Sequence, residues 1–414
     1  MTVGLHGLFR KMDPTLTGDR PKSARQLLRW HSVQSPGAKN IASVARRHDS
    51  GRSTALRFLS YNTYLLRLAV DVPVVGRLEL TAKPDTAARA LEIGQRFSSE
   101  RYDLACYYEV FQQEERDRLL SGVGRPVPNL FGGTASSLMM VSAERRFLRS
   151  AQHVYETRGK TYHISNPVHD FDASADADWY ARKGVLMAEV DTGLRAAGAP
   201  DTPISIEIYA THMMWGGGVP SGFISALNAL TFGNSISPVN DQERFALQMA
   251  QLDEFIAFYR RTHDPRNVAL LCGDFNIDGS QAQLYRGLTE QLKQIDLADV
   301  WGDGRYLAQT LAGQTARNDD GDPPREGDFA QVCAAYNGQS DSDYCDENAN
   351  IKSSSPSVGR FDYIFVEKPS PSHRCYVDAA RVRRRQFRRP SPSGGQSFLS
   401  DHLGLETTLH IGVK

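Results

Sequence analysis

The stretch LLCGDFNIDG, Leu270–Gly279, runs out of an apolar segment into a carboxylate and a carboxamide, Asp274 and Asn276, two residues apart. A strand sends residues i and i+2 to the same face. If Leu270–Asp274 is a buried strand, both polar side chains leave the core at its end and converge on one spot. The rest of the chain repeats this design. LRFLSYN ends in Asn62, DLACYYE in Glu109 and ISIEIYATH in His212. In the last of these, Ile204, Ile206, Ile208, Ala210 and His212 share a face by period two, so the histidine continues an apolar row. RFDYIFV carries Asp362 beside its start, and FLSDHLGLE places Asp401 and His402 just before a final strand. A single strand-end Asn or Asp is ordinarily a turn or cap, and a single His on an apolar face is ordinarily a satisfied core residue. Six polar strand ends are poorly explained as six independent turns.

Around these runs, strand and helix signals alternate. SLMMVSAE, GVLMAEV and LGLETTLHI read as further strands. PDTAARALEIGQRFSSE and NDQERFALQMAQLDEFIAFYRR read as helices. The second has Phe245, Met249, Leu252, Ile256 and Tyr259 on one stripe and a capping-box-like entry, Asn240 with Glu243. Mixed strands with interspersed helices indicate an α/β protein with packed sheets.

The chain has 414 residues and balanced charge, 48 basic against 48 acidic, so net charge selects no partner. Charge is unevenly placed. Residues 1–54 form a basic, weakly structured arm with one short helix near ARQLLRW, Asp303 to Glu347 is acidic, and RVRRRQFRR (Arg381–Arg389) is an arginine cluster. That cluster suits nucleic-acid phosphates, anionic lipid headgroups or a solvated strand and turn. There is no apolar run long enough to span a bilayer. The start lacks an apolar signal core and cleavage site, which favours a soluble, cytoplasmic protein. Cys106 and Cys272 lie in apolar runs as small buried thiols. Cys333 and Cys345 flank a polar loop and would pair only in an oxidising compartment.

The polar strand ends suit metal-assisted phosphoester hydrolysis. Magnesium takes oxygen ligands, usually one or two carboxylates with water and substrate phosphate, and Glu109 fits that anchor role. Two histidines fit a base and an acid. Asp362 can hold one imidazole in the useful tautomer, and Asn side chains can hold phosphoryl oxygens without repulsive charge.

Taken in chain order, SYN with Asn62, YYEVF with Glu109, ATH with His212, GDFN with Asp274 and Asn276, RFDYIF with Asp362 and SDH with Asp401 and His402 resemble the endonuclease/exonuclease/phosphatase superfamily. The resemblance covers roughly residues 55–412. It implies a deoxyribonuclease-like four-layer αββα sandwich of two mixed sheets, and one catalytic domain, 55–414, with insertions at about 213–240 and 302–358. It further implies Glu109 as principal Mg²⁺ ligand (Mn²⁺ or Co²⁺ substituting), with Asn62 and Asp401 at the metal end. His402 would be the general base oriented by Asp362, His212 would serve the leaving side, and Asp274 and Asn276 would position water and phosphate.

Within the superfamily, EVFQQEERDRLL and ADADWYARKGVLMAEV are similar to the neutral and bacterial sphingomyelinases. This implies a phospholipid substrate and transient membrane-surface contact, with Lys183 and Trp215 meeting phosphate, headgroup or lipid. The segment after His212, MMWGGGVPSGFISALNALTF, is longer and more apolar than that branch leads one to expect. It reads either as a small helix packed into the core or as a lid that receives an acyl chain. A nuclease of the same fold and a non-catalytic binding module on it stand as the alternative readings.

Overall fold

The computed structural model describes residues 52–65, 67–72, 76–81, 85–132, 137–155, 183–196, 198–215, 241–279, 281–300, 360–379, 382–385, 387–390 and 396–414. The basic arm up to residue 51, the apolar segment beyond Trp215, the acidic stretch, Asn240 and the pair Cys333 and Cys345 lie outside them. No helix among the described residues is long and apolar enough to cross a membrane.

Two mixed sheets form the centre. The first contains β1 (Ser53–Asn62), β4 (Leu104–Tyr108), β5 (Asn129–Phe131), β6 (Leu138–Ser142), β13 (Cys375–Ala379), β14 (Arg383–Arg385) and β17 (Gly404–Val413). Its order is β13-β17-β1-β4-β6-β5, with β14 also paired to β17. The second contains β7 (Phe147–Val154), β8 (Gly184–Ala196), β9 (Ala199–His212), β10 (Val268–Asp274), β11 (Leu297–Asp299) and β12 (Asp362–Glu367), in the order β11-β12-β10-β9-β8-β7. Two small ribbons stand apart, β2 (Arg67–Val72) with β3 (Gly76–Thr81), and β15 (Arg388–Pro390) with β16 (Gln396–Phe398). The helices are α1 (Thr86–Ser99), α2 (Gln113–Val123), α3 (Asp241–Thr262) and α4 (Ala282–Leu292).

Strand alternation builds the layers. Leu56 and Phe58 of β1, Leu104 and Cys106 of β4, Ile204, Ile206 and Ile208 of β9, and Val268, Leu270 and Cys272 of β10 meet between the sheets. Each such aliphatic side chain contributes at most about 1.5–3 kcal/mol by leaving water. The outward residues of the second sheet, among them Tyr209, Ala269 and Leu271, pack under Leu252, Ile256 and Tyr259 of α3 and Leu288 of α4. Those of the first sheet, Leu59, Tyr61, Ala105 and Tyr107, pack under Ile93 and Phe97 of α1 and Leu119 of α2. The result is the expected four-layer αββα sandwich. Leu252, Ile256 and Tyr259 of the stripe read from sequence are buried, with Phe245 and Met249 packed at its edge. Helices α1 and α2 approach so closely that a Cβ on Gly94 would overlap the Leu119 carbonyl, and one on Gly122 the Leu91 carbonyl.

The thiols of Cys106 and Cys272 are free and buried, as is Cys375. Gly273 explains the glycine of GDFN. Strand β10 runs parallel to β9 with Gly273 opposite Thr211, and a Cβ there would collide with the Thr211 carbonyl. Gly273→Ala is therefore expected to destabilise the protein by about 1–3 kcal/mol, measured as a lower urea midpoint with unchanged slope. A midpoint equal to wild type would show that β9 and β10 can part.

At the opposite end of the second sheet lies a separate ionic cluster. His263, just past α3, places Nδ1 2.9 Å from Glu207 Oε2 and Nε2 3.4 Å from Glu367 Oε1. Burial opposes its charge, but the bonds and fields of these two carboxylates outweigh burial and raise its pKa from 6.5 to about 9. A folded-state pKa above the unfolded one gives stability that is complete below pH 6.5 and lost as pH rises through 9. The Tm difference between wild type and His263→Gln is thus expected to be largest at the acid end of that window and to close toward its alkaline end. A pH-independent difference would contradict this account.

Candidate active site

Register brings the polar strand ends together. Asn62 of β1 lies opposite Tyr108 at the end of parallel β4, so Glu109 follows beside it. Asp274 of β10 pairs with His212 of parallel β9 on one side and with Asp362, the first residue of antiparallel β12, on the other. Strand β17, antiparallel to β1, begins at that same end, just after His402. Asn62, His212 and Asp274 each continue the row that faces the inter-sheet core: Leu56–Phe58–Ser60–Asn62, Ile204–Ile206–Ile208–Ala210–His212 and Val268–Leu270–Cys272–Asp274. The site is the polar end of that core.

Asn62 is its hub. Its Nδ2 donates to Glu109 Oε1 at 3.1 Å and Asp274 Oδ2 at 2.8 Å, and lies 3.5 Å from His402 Nε2. His402 Nδ1 is 2.8 Å from Asp362 Oδ2, leaving Nε2 turned toward Asp274 Oδ2 at 3.8 Å. His212 Nε2 lies 3.8 Å from Glu109 Oε1 and 3.7 Å from Asp274 Oδ2. Lys183 Nζ stands 3.1 Å from His212 Nδ1 and 2.5 Å from Nε2. The backbone N–H of Asn276 donates to Asp274 Oδ1 at 2.9 Å, and its side-chain amide to the Met213 carbonyl, also at 2.9 Å.

Asp401 borders this group. Its Oδ1 lies 3.3 Å from Ser400 Oγ, and its charge is felt at Glu109. Trp215 is 44% exposed, whereas Met213 and Met214 before it are buried, so these two methionines belong to the core. Among the described residues, four of the six non-glycine residues with left-handed φ surround the site: Tyr64, Glu109, Ser137 and Asn276. Such conformations cost on the order of 1–3 kcal/mol each and persist only where neighbours hold them.

Electrostatics separates the groups. Burial pushes Glu109 up to about 7 and Asp274 up to about 6, against the opposing pull of Lys183 and His402. Burial also raises Asp401. His212 is held neutral, by burial first and then by the positive charges of Lys183 and His402. Burial opposes the charge on His402 too, but Asp362 and Asp274 outweigh it and keep the imidazolium.

These features fit a hard divalent cation. One ligand atom each from Glu109, His212 and Asp274 lies within 4.8 Å of the other two, and Asp274, Asp362 and His402 form a second such group. Glu109 Oε2 and Asp362 Oδ1 are buried without a hydrogen-bond partner. The neighbouring carboxylates of Glu109 and Asp274, both raised by desolvation, need a positive charge to ionise together.

Several residues escaped the sequence reading. Ser137 Oγ lies 3.0 Å from His212 Nδ1, and nothing in TASSL marks it. Gln248 Nε2 donates to the carbonyls of Met214 and Asn276. Arg89 occupies the buried face of α1 with Thr86, Ala90, Ile93, Gly94 and Phe97, and an arginine on an apolar helical stripe is a signal that sequence does carry. Three described side chains of the arginine cluster, Arg385, Arg388 and Arg389, are engaged with the protein itself. Arg385 pairs with Glu100 and Glu406, Arg389 lies 3.0 Å from Asp85, and Arg388 sits over Phe398.

Fold and constellation together define a class of architecture, a four-layer αββα sandwich of two mixed sheets with a buried polar cluster suited to a cation at one end. No protein-family model and no curated protein matches the chain. Among solved structures it is similar to TDP2 of D. rerio complexed with single-strand DNA product, at 14% identity and TM-score 0.48, covering 86% of this chain and 99% of that one. An endonuclease/exonuclease/phosphatase family protein from Bacteroides thetaiotaomicron is 14% identical with TM-score 0.46, covering 87% and 100%. Sphingomyelinase C from Streptomyces griseocarneus is 15% identical with TM-score 0.46, also covering 87% and 100%. Likenesses at this level bear on the fold alone.

Proposed function

We propose that this chain is a metal-dependent phosphodiesterase, and that its substrate is a phospholipid headgroup ester of the sphingomyelin type. The observation that carries the reaction class is the convergence of Glu109, Asp274, His212 and the Asp362–His402 pair around Asn62 at the end of the inter-sheet core. Glu109, with Asp274 beside it, would hold the cation, Mg²⁺ by its preference for oxygen ligands. When bound, the cation supplies charge stabilisation for the phosphoryl oxygens and offsets the negative field that keeps His402 protonated.

The chain's own residues do the rest. Asp362 fixes the His402 ring through Nδ1, so Nε2 is the atom that takes the proton of the attacking water. Asn62 holds the Glu109 and Asp274 carboxylates through its two amide hydrogens, and Asn276 holds water and a phosphoryl oxygen in line. Lys183 brings positive charge to the leaving side, and His212, neutral in its buried setting, orients the ester oxygen there. Asp401 supports the Glu109 end. Trp215, exposed at the rim, is the side chain placed to meet a lipid.

The lipid over the nucleic acid is favoured by the sphingomyelinase-like stretches around Glu109 and Lys183, and by Arg385 and Arg389 being paired to carboxylates of this chain rather than offered to a polyanion. The deciding measurement is phosphocholine release from sphingomyelin vesicles, with phosphatidylcholine vesicles and supercoiled plasmid as competing substrates. Mg²⁺-dependent release abolished by EDTA is the expected result. Turnover unaffected by EDTA would overturn the metal, and plasmid nicking without lipid turnover would overturn the substrate.

A further inference from the structure

Arg89 is 1% exposed, the largest side chain buried in α1, and it points at main chain rather than at a partner acid alone. Its Nη1 donates to the Thr63 carbonyl at 3.1 Å and the Leu399 carbonyl at 2.9 Å, and its Nη2 to the Tyr64 carbonyl at 2.7 Å. Only Nε is used for an acid, Asp85 Oδ1 at 3.1 Å. Its guanidinium also lies over the Tyr64 ring, 5.6 Å from the centroid.

The three carbonyls belong to the two loops that carry the site. Thr63 and Tyr64 follow Asn62. Leu399 precedes Ser400, Asp401 and His402. The loops are joined again by Ser400 Oγ, which donates to the Asn62 carbonyl at 2.7 Å and accepts the His402 N–H at 3.1 Å. Thr63 in turn donates to the Tyr108 carbonyl from both N–H (3.0 Å) and Oγ1 (2.7 Å), one residue before Glu109. A guanidinium presents five N–H donors in a rigid plane, so one side chain can hold carbonyls from two loops at fixed separation. Lysine could not.

We propose that Arg89 is a positioning residue of this site: it clips the loop after Asn62 to the loop before His402 and so sets the distance between the cation-and-phosphate end and the base. The inference rests on the phosphodiesterase reading for its kinetic part and on geometry alone for the clip. Arg89 touches no reacting atom. It acts through the backbone of Thr63, Tyr64 and Leu399, and a displacement of about 1 Å in such a base can cost on the order of 10²-fold in rate.

The test uses Arg89→Met and, should that variant fold poorly, Arg89→Lys, each read two ways. By hydrogen exchange, peptides covering 63–64 and 399–402 are expected to lose protection while the β10 peptide 268–274 keeps it. Unchanged protection, or equal loosening everywhere, would overturn the clip. With bis(p-nitrophenyl) phosphate and Mg²⁺, kcat is expected to fall about 100-fold with KM nearly constant. The same substitution in a His402→Ala background should add no further loss, because the base it aims is already gone. Multiplying losses would mean that Arg89 serves folding only, and would overturn the proposal. Absence of wild-type turnover on this ester would count against the phosphodiesterase reading, with hydrogen exchange then deciding the clip by itself.

Discussion

Replacing Glu109 by Gln is expected to lower phosphodiester turnover by on the order of 10³-fold, since a cation at a phosphoryl oxygen supplies several kcal/mol of transition-state stabilisation. The same change should leave the metal-free protein as stable as wild type or more stable. Glu109 is half-buried, desolvation pushes its pKa up to about 7, and its buried Oε2 has no hydrogen-bond partner. An amide at this position removes a desolvated charge without removing volume. A third signature is expected: wild-type Tm should rise with added Mg²⁺ through preferential binding to the folded state, and the Gln variant should lose that rise. A Gln variant that keeps the Mg²⁺-dependent rise would transfer the anchor role to Asp274, and one that keeps wild-type turnover would remove the metal mechanism altogether.

The second large effect concerns His402 and Asp362. Loss of a general base costs on the order of 10²–10⁴-fold, and His402→Ala is expected within that range. Asp362→Asn keeps the shape of the pair but replaces the acceptor at 2.8 Å from Nδ1, so the ring loses its held tautomer. Because the two side chains act as one unit, the double variant should be no slower than the slower single one. Losses that multiply would mean that Asp362 works independently, as a metal ligand through its buried Oδ1 rather than as an orienting group. Measured kcat for the three variants at saturating Mg²⁺ separates these outcomes.

The central strands were legible because both of their faces are buried. β1, β4, β9, β10 and β12 are short runs of apolar side chains bounded by polar ones, and period two says which residues share a face. It thus placed His212 in line with Ile204, Ile206, Ile208 and Ala210 before any fold was known. What escaped were the elements whose side chains are only half buried, such as β7 and β13, where polar and apolar residues mix and no single period stands out. Helix α1 starts where the Pro84–Asp85 signal puts it, yet Asp85 makes no side-chain cap. Its carboxylate is taken by Arg89 and Arg389 instead. The arginine cluster is legible as charge but not as purpose, since its partners on α1 and at Glu406 lie far away in the chain.

Sequence by itself determined which residue types stand at the strand ends and on which face, because strand geometry repeats every two residues and is local. Tertiary structure alone decided that Asn62, Glu109, His212, Asp274, Asp362 and His402 meet, through the two parallel pairings β1–β4 and β9–β10 and their antiparallel neighbours. It also decided their charge states. Burial raises Glu109 against the pull of Lys183 and His402, while burial and that same field together lower His212; all of this acts through space, between groups that no local pattern connects.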